Sequence, residues 1–204
     1  MIRLPHLYAI LDTSRFPDSQ ALFSTAEEFS AAGVTLLQYR NKRGDAREML
    51  EQAHELRRRL SSSVKLIMND RADICLAAGF DGVHVGQQDL SPEGARKVIG
   101  EGLWLGVSTH SPEQIIEADK TSADYFAIGP VFSTVSKANP GPVVGLEGVR
   151  KARALTRKPL VAIGGINRAN CRSVIEEGAD SVAVISDLMR EPRKSAEDFF
   201  RILG

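Results

Sequence analysis

Eight short apolar runs recur along the chain: Leu7–Leu11, Thr35–Tyr39, Lys65–Met68, Gly82–Val85, Trp104–Val107, Tyr125–Ile128, Leu160–Ile163 and Ser181–Ile185. They are mostly continuous rather than alternating, as parallel strands covered on both faces must be. Between them lie segments with helical spacing of apolar residues, among them Ala26, Phe29, Ala32 and Ala46, Leu50, Ala53, Leu56, Leu60. Ser91-Pro92 and Ser111-Pro112 each read as an N-cap serine with proline at the first helical position. Further helices are expected to start near Leu146 and Arg168. Eight strands alternating with helices predict a (β/α)8 TIM barrel, and 204 residues suffice for one domain spanning 1–204.

An internal echo agrees. Gly79-Phe80-Asp81-Gly82, Ser122-Ala123-Asp124-Tyr125 and Gly178-Ala179-Asp180-Ser181 each carry an Asp between a helix end and a strand start. Shared turn chemistry is the preferred reading of Asp81, Asp124 and Asp180. The longest connection, Pro130 to Gly145, reads as a binding loop or lid.

The 26 basic and 26 acidic residues cancel, which argues against a nucleic-acid or membrane-surface partner without excluding a local basic pocket. No signal peptide is expected in Met1–Leu11, and no apolar stretch approaches the ~18–20 residues that span a bilayer. Cys75 and Cys171 sit in expected helices without metal-ligand spacing, which points to buried thiols and a cytoplasmic protein. The four histidines form no ligand cluster: His54 reads as surface, His84 as a satisfied interior residue and His110 as part of a helix entry.

In this fold the active site lies at the C-terminal strand ends. After the second run comes Gln38-Tyr39-Arg40-Asn41-Lys42; if Gln38, Arg40 and Lys42 alternate with Tyr39 and Asn41, two cations and an amide converge on the mouth and suit a diphosphate. After the third and fourth runs come Asn69-Asp70-Arg71 and Gly86-Gln87-Gln88-Asp89. On neighbouring strands, Asp70 and Asp89 could share a Mg²⁺ ion, although alone Asp70 reads more readily as a helix N-cap and Asp89 as a turn residue. Ser108 follows the fifth run, and Ser133-Thr134-Val135-Ser136-Lys137 offers hydroxyls and one cation after the sixth. Gly164-Gly165 after the seventh and Ile185-Ser186 after the eighth match a backbone phosphate cup. Two anion sites in one mouth imply two phosphorylated substrates.

In order and combination these motifs, together with Gly82-Val83-His84-Val85-Gly86-Gln87-Gln88-Asp89-Leu90, Gly106-Val107-Ser108-Thr109-His110 and Gly129-Pro130-Val131-Phe132, resemble the thiamine phosphate synthase (thiamine-phosphate pyrophosphorylase) family over nearly the whole chain. The resemblance implies a transferase of thiamine biosynthesis. It joins 4-amino-5-hydroxymethyl-2-methylpyrimidine diphosphate to 4-methyl-5-(2-phosphoethyl)thiazole, giving thiamine phosphate and diphosphate. It further implies that the Gln38–Lys42 stretch (Tyr39 and Asn41 included), Asn69 and Lys137 meet the pyrimidine diphosphate, with Arg40, Lys42 and Lys137 as the catalytic cations. By the same resemblance Ser108 touches the pyrimidine, and Asp70 and Asp89 bind Mg²⁺. Thr134, Ser136, Gly165, Ile185 and Ser186 then hold the thiazole phosphate. The chain departs from the family pattern in its hydroxyl loop, where prolines and a second threonine are common; Ser136 keeps a hydroxyl there. A homo-oligomer is compatible with the sequence. Two alternatives stand beside this reading. A thiazole tautomerase would typically carry histidine at the position of Pro130, and a retired, non-catalytic phosphate sensor would lose Asp70, Asp89 or Lys137.

Overall fold

A computed structural model describes residues 2–134 and 141–204. Ser136 and Lys137 lie outside the described residues. Eight strands form one closed parallel barrel in chain order: β1 Leu7–Asp12, β2 Leu36–Arg40, β3 Lys65–Asn69, β4 Gly82–Val85, β5 Trp104–Thr109, β6 Tyr125–Ile128, β7 Leu160–Ile163 and β8 Ser181–Val184. The helices are α1 Ser19–Ala31, α2 Ala46–Arg59, α3 Ala72–Ala77, α4 Pro92–Ile99, α5 Pro112–Asp119, α6 Gly145–Leu155, α7 Cys171–Glu176 and α8 Pro192–Leu203. The expected (β/α)8 barrel is therefore present, with each of the eight apolar runs in its own strand.

The lack of alternation in the strands has a direct cause. Leu7, Ala9 and Leu11 of β1 point outward into the layer between strands and helices, while Tyr8 and Ile10 point into the barrel. Both faces are buried, so both must be apolar or internally hydrogen-bonded. Helix starts follow the predicted chemistry. The Ser91 hydroxyl accepts from Gly94 N–H at 3.1 Å and the Ser111 hydroxyl from Gln114 N–H at 3.3 Å. Asp18 and Asp45 cap α1 and α2 in the same way. Each such cap satisfies a helix donor that would otherwise lack a partner and is worth about 1 kcal/mol.

The three echoed aspartates form one repeated device at the N-terminal end of the barrel. The carboxylates of Asp81, Asp124 and Asp180 accept from the N–H groups of Leu66, Leu105 and Leu160 on the preceding strand, at 2.7–2.9 Å. Each also meets an arginine two helices back in the chain: Arg57 of α2, Arg96 of α4 and Arg153 of α6. Arg96 is buried and also donates to the carbonyls of Gly100, Leu103 and Ser122. The echo is thus structural and lies opposite the mouth.

Candidate active site

The C-terminal ends of the strands surround a cavity of about 390 Å³, its polar wall supplied by β1 to β5 and the loops that follow them. Its wall includes Gln38, Arg40, Lys42, Asn69, Asp70, Asp89, Ser108 and Ile185, which brings eight of the predicted site residues together. The register of β1 on β2 sets Asp12 opposite Arg40, and the two side chains form an ion pair. The other Asp12 oxygen accepts from Ser14 N–H at 3.0 Å and Ser14 Oγ at 2.7 Å. This carboxylate is almost fully buried, so it fixes the guanidinium at the cavity edge rather than leaving it on a mobile stem.

Asp70 closes β3 with a positive φ of 64°, a region a non-glycine residue enters at a cost. Its N–H bonds the His84 carbonyl at 2.8 Å, which holds it in place against β4. Its carboxylate meets the Lys42 ammonium and lies within hydrogen-bond reach of Asp89. Burial raises the Asp70 pKa; the Lys42 ammonium opposes this and the Asp89 carboxylate adds to it. Asp89 is itself held by Gly86 N–H on its Oδ2 at 2.8 Å. Two carboxylates gathered at the cavity edge, Asp70 half-buried and Asp89 exposed, repel unless a cation joins them. Their hard oxygens suit Mg²⁺, which takes one or two carboxylates and completes its shell with water and phosphate. Among the described residues no cluster of three or more His, Cys, Asp or Glu could hold a metal ion by itself, and Asp70 and Asp89 are the donors at this edge. Beside it, Asn69 Nδ2 is buried with no hydrogen-bond partner among the described residues, a donor left for a ligand acceptor.

A second lobe opens from the first. Its wall includes Thr134, Gly165, Ile185 and Ser186, and the two lobes share Ser108, Ala127, Ile163, Ala183 and Ile185. Gly164 and Gly165 have φ of 101° and 66°. A Cβ on Gly164 would lie 2.5 Å from Pro130 Cβ, and one on Gly165 would lie 2.5 Å from the Ser133 carbonyl oxygen. The loops after β6 and β7 therefore pack backbone to backbone, joined by Val131 N–H to Ile163 O and Phe132 N–H to Gly164 O at 2.9 Å. The glycines were expected for close approach to a phosphate; in the structure they let Phe132 and Ser133, at the start of the hydroxyl loop, pack against the Gly-Gly turn.

Two predicted residues stand elsewhere. Tyr39 is buried in the outer layer, and its hydroxyl donates to Gln52 of α2. Asn41 donates to the Tyr39 hydroxyl and accepts from Arg43 and Gly44 N–H. Alternation turns both away from the cavity, where they brace the loop that presents Arg40 and Lys42. Conversely, the structure adds Asp12, Arg43 and His84 to the wall. Asp12 carried a signal: it is a charge directly after the apolar run Leu7–Leu11. His84 is a satisfied interior residue, as expected, but one that faces the cavity. His110 both enters α5, through its N–H to Gln114, and lines the second lobe. Cys75 is buried, which pushes its thiol up to about 12 and leaves it inert.

The family model for thiamine monophosphate synthase matches residues 7–188. A thiamine-phosphate synthase of Koribacter versatilis is 60% identical over 205 residues, covering 99% of this chain and 97% of its own. The solved thiamine phosphate pyrophosphorylase of Pyrococcus furiosus superposes with a TM-score of 0.86 at 37% identity, covering 97% of this chain and 94% of that one. A 3-hexulose-6-phosphate synthase structure, 17% identical with a TM-score of 0.76 over 98% of this chain and all of its own, shares the fold alone. With a family model covering most of its length and relatives alike from end to end, the chain belongs to the thiamine monophosphate synthase family.

Proposed function

We propose that the chain acts as one barrel domain that condenses 4-amino-5-hydroxymethyl-2-methylpyrimidine diphosphate with 4-methyl-5-(2-phosphoethyl)thiazole to thiamine phosphate and diphosphate. The observation that carries this is the pair of lobes sharing one wall, one lined by Arg40, Lys42, Asn69, Asp70 and Asp89, the other by Thr134, Gly165 and Ser186. The first suits a metal-bound diphosphate and the second a monophosphate, and the shared wall of Ser108, Ala127 and Ile185 suits the two rings between them.

The chemistry follows from the charges. The bond from the pyrimidine methylene carbon to the diphosphate oxygen breaks, and its electron pair leaves with the diphosphate. Arg40, fixed by Asp12, and Lys42, fixed by Asp70, are the cations that meet that growing charge, with Lys137 as a third from the hydroxyl loop. Mg²⁺ held by Asp70 and Asp89 would supply further neutralisation of the leaving oxygens when bound. The amino group on the pyrimidine donates electron density to the carbon as the leaving group departs, so departure precedes attack. The thiazole nitrogen then forms the new C–N bond. It carries no proton, so no general base is required, in keeping with a mouth where His84 is tied to Tyr125 and Ser108 and His110 to the Gly129 carbonyl. The two cysteines are buried and unbonded, which suits a reducing cytoplasm.

The test is incubation of the protein with both substrates and Mg²⁺, with thiamine phosphate and diphosphate separated by chromatography. Equal amounts of the two products are expected. Isomerisation of a thiazole phosphate without condensation would favour the tautomerase, and binding without turnover the sensor.

A further inference from the structure

At the base of the cavity, five polar side chains from five strands form one hydrogen-bonded line. Gln38 Nε2 lies 2.9 Å from the Tyr8 hydroxyl, which lies 3.1 Å from the Tyr125 hydroxyl. The Tyr125 hydroxyl is 3.1 Å from His84 Nδ1, and His84 Nε2 is 2.9 Å from Ser108 Oγ. Tyr8 is 1%, Tyr125 0% and His84 7% exposed, so solvent has almost no access to reorient these groups. Ser108, at the end of the line, is part of the wall of both lobes.

The line has a direction. An amide nitrogen only donates, so Gln38 fills a lone pair of Tyr8. Each tyrosine has one proton, and in a buried site a proton without an acceptor is costly. Tyr8 therefore donates to Tyr125, and Tyr125 to His84 Nδ1. The neutral imidazole then carries its proton on Nε2 and donates it to Ser108 Oγ. With its acceptor site facing His84 filled, Ser108 keeps its own proton for the cavity. Register builds this line. Gly106 of β5 sits between His84 of β4 and Tyr125 of β6, and a Cβ there would lie 2.4 Å from His84 Nδ1 and 2.2 Å from Tyr125 Cζ. Glycine at that position opens the gap through which the two rings meet.

We propose that this polarised line holds Ser108 as a hydrogen-bond donor toward a ring nitrogen of the pyrimidine substrate, and that Tyr8, Tyr125 and His84 are positioning residues for that bond. The ligand named here rests on the functional reading above; the polarity does not. The opposite polarity would make Ser108 an acceptor, matched to an amino N–H instead.

Histidine-¹⁵N NMR of the ligand-free protein reads the tautomer directly, with His84 assigned by its loss in His84→Gln. The Nε2–H tautomer is expected in the wild type, and a mixture of tautomers in Tyr125→Phe. In steady-state kinetics, Tyr125→Phe is expected to raise KM for the pyrimidine diphosphate about tenfold, the worth of one hydrogen bond, while KM for the thiazole phosphate stays unchanged. Tyr8→Phe cuts the line one step earlier and serves as a second variant should Tyr125→Phe not fold. A proton on His84 Nδ1 in the wild type would overturn the proposal. So would an unchanged pyrimidine KM in a folded Tyr variant. An Nε2–H tautomer in a protein that makes no thiamine phosphate would overturn the functional reading, and with it the ligand, while leaving the polarity in place.

Discussion

Asp70 carries two local costs at once. It is a non-glycine residue at φ 64°, half-buried beside a second carboxylate. A carboxyl whose folded pKa is raised contributes its stability below its unfolded value of about 3.9 and loses that contribution as pH rises through the folded value. At neutral pH the metal-free fold therefore carries the cost of the charge. Asparagine at this position tolerates the same backbone and removes the repulsion. Asp70→Asn is expected to melt at or above the wild type at pH 7 without divalent cation. The difference should shrink toward pH 4, and activity should fall at least about a hundredfold. Thermal melts at the two pH values and a turnover assay check this; a strongly destabilised Asp70→Asn would mean that the carboxylate is structural. The same residue marks what the sequence could and could not reveal. Its type and strand-end position were legible, but its backbone strain and its bond to the His84 carbonyl depend on β3 and β4 pairing, which no local pattern encodes. Tyr39 and Asn41 were grouped with their neighbours because they share a stretch of chain; only the pleat separates Gln38 and Arg40 from them.

At the scale of elements, glycines and arginines separate function from support. Gly106→Ala would push a methyl into both the His84 and Tyr125 rings, and it should destabilise the fold by about 1–3 kcal/mol, roughly 2–9 °C in a chain of this size. The substitution should also impair activity, because the rings it displaces end at Ser108. Arg96→Ala removes a buried cation that holds four groups at the opposite end of the barrel. It should cost about 3–5 kcal/mol while leaving kcat of the folded fraction near wild type. Denaturant melts paired with kinetics test the contrast, which fails if Arg96→Ala changes kcat more than stability. The strands were legible because burial on both faces leaves continuous apolar runs, and α4 and α5 because Ser-Pro marks their starts. The start of α7 was less so: it begins at Cys171, three residues after the Arg168 expected from the pattern, with no side-chain cap bond at Asn170 to announce it. The need for Gly164 and Gly165 was read as room for a ligand. Their contact with Pro130 and Ser133 is a tertiary fact, visible only once the loops after β6 and β7 meet.

For the whole molecule, barrel closure does what no segment does alone. It brings cations from β2, carboxylates from the ends of β3 and β4, and the Gly-Gly turn after β7 to one mouth, spread over more than a hundred residues of chain. Two lobes sharing Ser108 and Ile185 would, on the proposed reading, set a leaving diphosphate and an arriving thiazole phosphate at opposite sides of one reacting carbon. Lys137 belongs to this account as a cation of the hydroxyl loop, and Lys137→Ala is expected to keep the wild-type circular dichroism spectrum and melting temperature while losing about a hundredfold in kcat. A variant that loses its fold along with its activity would assign that lysine to structure instead. On the proposed reading the carboxylate pair and the strand-end cations act together on a metal-bound diphosphate. The most direct test of that reading is the rate of thiamine phosphate formation from both substrates with Mg²⁺, with EDTA, and with Mg²⁺ restored in excess. The expected result is turnover with Mg²⁺, loss of at least about a hundredfold with EDTA, and full recovery on restoration. Turnover indifferent to EDTA would contradict it and leave Asp70 and Asp89 without the role their geometry suggests.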